Sequence, residues 1–169
     1  MSKIEIRKLS LKDGEKERLF LLSFPDTDEY YPRPGRSFRI ETKEGFESFV
    51  ARRVDNSRGT SLKEGAVPRS TFWILADGEL AGTAIVRHGL DDALREQGGH
   101  IGIGLHPDFR RKGIGGEALR LLIGYTRSLG EKRILMTTHK NNEASRRMIE
   151  KVGGKLEKVS RDRAYYWID

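Results

Sequence analysis

The stretch from residue 98 to 129, GGHIGIGLHPDFRRKGIGGEALRLLIGYTRSL, restricts the fold more than any other part of the chain. Alternation over residues 98–105 predicts a strand with Ile101, Ile103 and Leu105 on one face and His100, Gly102 and Gly104 on the other. The nearly bare second face invites close approach of a ligand. Residues 115–129 carry Ala118, Leu119, Leu122, Ile123, Tyr125 and Leu129 in a stripe of helical period, which needs a sheet to pack on, and Gly130 ends that helix. Between strand and helix lie Arg110, Arg111 and Lys112, followed by Gly113, Gly115 and Gly116.

A helix N-terminus presents free N–H groups and is a preformed anion site. The three glycines leave that site uncovered by side chains, and the basic run adds charge where a diphosphate would lie. GIGGEA also matches the dinucleotide fingerprint G-x-G-x-x-G/A, but HPDFRRK separates its glycines from the strand, and Thr137, Thr138 and His139 stand where a ribose-binding acid belongs. No Walker-type loop occurs.

The remaining elements surround this unit. A strand is expected over 4–9, helices over 11–22 and 41–56, and a hairpin of 71–76 and 80–87 joined at Asp77, Gly78 and Glu79. A strand over 133–138, a helix over 142–152 stopped by Gly153 and Gly154, and strands over 155–159 and 164–168 complete the chain. Two long loops, 23–40 and 57–70, are expected to wall a substrate site. In the first, Asp26, Asp28 and Glu29 either attract a cationic amine or are merely solvated. The expected fold is α/β (α+β): one domain over 1–169, with a mixed, mostly antiparallel sheet of about seven strands flanked by about four helices.

Composition narrows the function classes. At 169 residues and 36% hydrophobic content the chain suits one core. Lacking cysteine, it has no thiolate nucleophile and no thiolate metal site, and none of its candidate sites is a metal site. No run approaches the roughly 20 apolar residues of a membrane span, and MSKIEIRKL is no secretory signal, so a cytoplasmic protein without membrane contact is expected. The net charge of +7 comes from 32 basic and 25 acidic residues interspersed along the chain, a pattern that suits a small polyanion better than nucleic acid.

LHPDFRRKGIGGEAL resembles the R/Q-x-x-G-x-G/A signature of the GCN5-related N-acetyltransferases, and NEASRRMIEKVGG resembles that family's N-x-x-S/A segment ending in glycines. The likeness covers about the last 100 residues. It implies acetyl-CoA as cosubstrate and an amine acceptor, with direct attack in a ternary complex. It implies that the diphosphate sits on Arg110, Arg111, Lys112, Gly113, Ile114, Gly115 and Gly116, and that the pantetheine arm pairs with Ile103, Gly104 and Leu105 beside a V-shaped opening between two parallel strands. A backbone N–H near Leu105 would then face the thioester oxygen. Asn142 matches the family asparagine near the sulfur and could equally cap its helix; Arg146 is placed to reach phosphate or lies on a solvated helix face.

The chain departs from the family where many members carry a tyrosine that protonates the thiolate, for it has Ile149 there. His139 and Tyr165 are the alternatives. In place of a strand glutamate, His88 and His100 offer a general base, with His100 preferred because Gly102 and Gly104 share its face, although either could simply hydrogen-bond a neighbouring loop. The aromatic runs Phe72–Trp73 and 165–167 read as core or contacts of a homodimer. A non-catalytic acyl-CoA-binding module is the competing function.

Overall fold

The computed structural model describes residues 1–26, 28–60 and 62–169. Its centre is the hairpin of β2 (Arg69–Ala76) and β3 (Glu79–Arg87). Asp77 and Gly78 at its tip both have positive φ, 51° and 82°, as a tight turn matched to strand twist requires. β1 (Ile4–Lys8) pairs with β2, and β4 (Ile101–Leu105) with β3, giving a four-stranded antiparallel sheet in the order β1-β2-β3-β4. The second sheet, also antiparallel, has β7 (Arg163–Ile168) between β5 (Ile134–His139) and β6 (Lys155–Ser160).

These sheets do not merge into one. They meet where the His100 N–H donates to the Leu135 carbonyl at 2.8 Å, beside an isolated bridge from Gly99 to Met136. Gly99 has φ of +63°, and a Cβ there would strike the Leu135 carbonyl, so glycine permits the approach. Among the described residues β4 and β5 share no ladder, so the two sheets part here and leave an opening between these strands, as the family resemblance implies.

Helices cover both faces of the larger sheet. α4 (Ile114–Ser128) sets Ala118, Leu119 and Leu122 against Phe72, Ile74, Val86 and Ile101 in the main core. α1 (Glu15–Leu22) and α2 (Lys43–Arg58) bury Leu21, Phe46, Phe49 and Val50 against Trp73 and Leu80 on the opposite face. Thr42 caps α2 by accepting from the Gly45 N–H at 3.0 Å, and Gly59 ends it with φ of 77°. α5 (Glu143–Lys151) drives Ile149 into the main core. A helix that the sequence reading missed, α3 (Asp92–Glu96), is too short for a periodic signal and rests on its cap, Asp91, whose carboxylate accepts from the Leu94 N–H at 2.8 Å. Among the described residues no helix is long and apolar enough to cross a membrane.

Candidate functional site

At the head of α4 the basic turn becomes a cradle of open amides. Gly113 takes φ of 78° and ψ of −6°, the helix begins at Ile114, and no side chain caps it. Among the described residues the N–H groups of Gly113, Ile114, Gly115 and Gly116 have no acceptor within the chain; the first bond back to the turn runs from the Glu117 N–H to the Gly113 carbonyl. The glycines differ in purpose. A Cβ on Gly115 would lie 2.9 Å from Met148 Sδ, so that position serves the packing of α5 on α4. A Cβ on Gly116 would meet nothing within 4 Å, so its bareness answers no need of the fold and keeps the amides open.

The strand leading to this turn has an unpaired edge. In its ladder with β3 the Arg87 N–H donates to the His100 carbonyl and the His106 N–H to the Ala81 carbonyl. Antiparallel strands bond at alternate residues, so Gly102 and Gly104 direct their backbone groups to β3, while Ile101, Ile103 and Leu105 direct theirs away from it. That edge faces the opening between the sheets. The Leu105 carbonyl is already used, accepting from Arg110 Nε at 3.0 Å.

A loop crosses the mouth of this opening, organised by Asp28. One carboxylate oxygen accepts from the N–H groups of Tyr30 and Tyr31, at 3.1 and 2.9 Å, while the other accepts from Arg110 Nη2 at 2.5 Å. Burial works against the Asp28 charge, but Arg110 and the two amides outweigh it and hold the carboxyl below its usual range. Tyr30 packs beside His139 at the end of β5, ring centres 5.2 Å apart. Tyr31 lies on Gly104, where any Cβ would strike its ring, and its hydroxyl shares a hydrogen bond with Thr83 Oγ1. Burial pushes the Tyr31 phenol up, so it carries its proton at neutral pH. Beside Tyr31 a cavity of about 370 Å³ is lined by Arg53, Thr71, Trp73 and Thr83 among others.

Several residues anticipated from sequence stand elsewhere. His100 is 2% exposed; its Nδ1 accepts from the Leu135 N–H at 2.9 Å and its Nε2 lies 3.4 Å from Glu131 Oε2. It therefore pins the two sheets at the root of the opening, the hydrogen-bonding alternative to a base. His88 shares a 2.8 Å hydrogen bond with Ser70 Oγ, which is 3.1 Å from the Tyr125 hydroxyl, so it too is turned to packing between sheet and α4. Burial, then Lys8, pushes its imidazole down. The Tyr165 hydroxyl donates to the Glu96 carbonyl at 2.7 Å. Arg146 donates from Nε to the Tyr166 hydroxyl at 2.8 Å and from Nη1 to the Lys140 carbonyl at 3.0 Å, which ties down α5.

Asn142 Oδ1 accepts from the Ser145 N–H at 3.2 Å, the cap geometry. Asp28, expected either to receive an amine or to be solvated, instead holds Arg110. His139 remains near the mouth, its Nδ1 accepting from the Asn141 N–H at 3.1 Å. Tyr31, Thr83, Thr71 and Arg53 were not singled out from sequence. Tyr31 does fall in the loop read as a substrate wall, whereas Arg53 sits in a helix with nothing to distinguish it from the neighbouring Arg52.

The fold is shared with known acetyltransferases. The profile of the acetyltransferase (GNAT) domain matches residues 3–155. Mycobacterium smegmatis RimJ in complex with CoA-disulfide is 19% identical, with a TM-score of 0.73 over 98% of this chain and 81% of that one. Campylobacter jejuni N-acetyltransferase PseH in complex with acetyl coenzyme A is 13% identical, with a TM-score of 0.63 over 99% of each chain. The microcin C7 self immunity acetyltransferase MccE, in complex with acetyl-CoA and AMP, is 20% identical, with a TM-score of 0.67 over 98% of this chain and 91% of that one. No curated protein sequence matches. With its signature turn, open strand edge and a profile match over most of its length, the chain belongs to the GNAT acetyltransferase family.

Proposed function

We propose that the protein transfers the acetyl group of acetyl-CoA to a primary amine by direct attack in a ternary complex. The observation that carries this reading is the run of open amides at the head of α4, beside the unpaired edge of β4. The Gly113–Gly116 amides, with Arg111 and Lys112, would receive the diphosphate, since unsatisfied N–H groups and the helix dipole favour an anion there. The backbone of Ile103 would pair with the pantetheine arm, which leaves the Leu105 N–H for the thioester oxygen. Acetyl-CoA and CoA in complexes of proteins sharing this fold support the choice of ligand.

In the transfer the amine lone pair forms the new C–N bond, the carbonyl electrons move onto oxygen, and collapse breaks the C–S bond. The Leu105 N–H supplies the donor for the oxyanion. Tyr31, protonated and seated on Gly104, gives its proton to the departing thiolate and regains one from the acylated nitrogen. This replaces the family tyrosine, whose position is filled by the fully buried Ile149. Calorimetric titration with acetyl-CoA, followed by CoA release with a panel of amines, tests the reading. Tight binding with turnover of at least one amine supports it; binding without any turnover leaves an acyl-CoA-binding module.

A further inference from the structure

The cavity beside Tyr31 is lined by Arg33, Arg36 and Arg53 and, among the described residues, by no aspartate or glutamate. Arg33 is compensated, 3.5 Å from Asp26 and 3.1 Å from Glu41. Arg53 is not. It packs over the Phe49 ring at 5.2 Å, and among the described residues no side chain or carbonyl accepts from it and no carboxylate pairs with it. It projects from α2 over a sheet face on which Arg69 and Arg87 are direct cross-strand partners. Like charges placed opposite one another weaken a sheet, and neither has an ion pair among the described residues; Arg87 is held only by the Gly98 and Gly99 carbonyls, at 3.1 and 3.2 Å. Burial first, then Arg69 and Arg87, pushes Arg53 down to about 10.

A second, independent feature lies in the same cavity. Thr71 is only 8% exposed, lines the cavity, and its hydroxyl has no hydrogen-bond partner among the described residues. A buried polar group without a partner is uncommon and marks a place where a ligand or water completes the bonding. Thr71 faces Ile85 across the hairpin, between the Arg69–Arg87 pair and the Trp73–Thr83 pair. A half-buried cation with no carboxylate beside it among the described residues, and a buried hydroxyl lacking its partner, thus line the cavity into which Thr83 and Tyr31 also reach.

We propose that the acceptor is a small amine that also carries an oxyanion, a carboxylate or a phosphate, received by Arg53 and Thr71 while its nitrogen reaches the Tyr31–Thr83 end of the cavity. The inference rests on the transferase reading above. Its scale follows from the strand: Thr71 stands opposite Ile85, two residues along β3 from Thr83 and about 7 Å away at the usual rise, which sets the separation of amine and anion. The guanidinium fork matches the planar bidentate geometry of such anions. The acceptor's ammonium gives its proton to water before attack, and the positive field of the arginines favours the neutral amine that results.

The test uses the full chain saturated with CoA, titrated calorimetrically with N-acetylglycine and, separately, with inorganic phosphate. Saturable binding of one of them is expected, weakened tenfold or more by Arg53→Gln, and the stronger of the two identifies the anion. In parallel, CoA release is compared for alanine against ethylamine and for phosphoethanolamine against ethanolamine, with kcat/KM expected to favour the anionic member at least tenfold. Arg53→Lys keeps the charge but not the fork; a threefold or greater loss of anion binding is expected for it, which carries the test if the glutamine variant does not fold. Anion binding indifferent to Arg53, or neutral amines acetylated as well as anionic ones, overturns the inference and leaves the transferase reading standing. Arg53-dependent anion binding with no amine acetylated overturns the transferase reading and leaves the anion site standing.

Discussion

Asp28 and Arg110, 82 residues apart in sequence, meet at 2.5 Å and fasten the loop bearing Tyr31 to the basic turn below it. One carboxylate thus links the two halves of the site, because its other oxygen orders the N–H groups of Tyr30 and Tyr31. Asp28→Ala should cost about 1–2 kcal/mol of stability, a figure kept small because Arg110 is partly exposed. It should lower kcat/KM for the amine more than it weakens acetyl-CoA binding. Thermal unfolding and steady-state kinetics check both, and an unaltered kcat/KM would separate the loop from acceptor handling.

The glycines of the turn separate ligand binding from folding. Gly116→Ala meets no neighbour and improves helix propensity, so the protein should gain roughly 0.5–1 kcal/mol or remain unchanged. Its acetyl-CoA affinity should fall about tenfold as the methyl group covers the open amides, which calorimetry measures. Gly113→Val forces a branched residue to φ of +78° and should both strain the turn, by about 1–2 kcal/mol, and abolish binding. Equal affinity in wild type and Gly116→Ala would sink the diphosphate assignment.

Tyr31→Phe removes the hydroxyl that reaches Thr83 while keeping the ring on Gly104. The acetyl-CoA dissociation constant should stay within twofold of wild type, while kcat falls about tenfold or more if the phenol supplies the proton. A kcat equal to wild type would remove Tyr31 from the chemistry and return attention to His139.

His100 gives a stability signature. Its Nδ1 must be free of a proton to accept from the Leu135 N–H, and burial pushes the imidazole below its ordinary value despite the opposing pull of Glu131. The unfolded chain then binds more protons than the folded one as pH falls below about 6.5, so stability contributed by this residue is full above that value and is lost on acidification. His100→Asn keeps an acceptor near Nδ1 but cannot titrate. Tm measured from pH 7.5 to 5.5 should fall less steeply in the variant; identical slopes would show that His100 does not set the acid sensitivity.

Most of the architecture was legible in the order of residues because its signals are local. The Asp77–Gly78 turn, the stripe on α4 and the glycines after Arg110 each express a backbone or packing requirement within one or two elements. The seven strands were recognisable for the same reason, and so was the glycine-rich turn at the head of α4, whose open amides follow one another along the chain. What tertiary structure alone decided was the direction and company of side chains. Alternation placed His100 on the face of Gly102 and Gly104, but Gly99 at φ of +63° lets β4 approach β5 there and delivers the imidazole to Leu135 and Glu131. Arg53, Thr71 and Tyr31 come from three separate elements, and no spacing in the sequence announces that they line one cavity. A charge missing its partner is a property of three-dimensional neighbourhood, since it depends on which groups folding brings near and which water it removes.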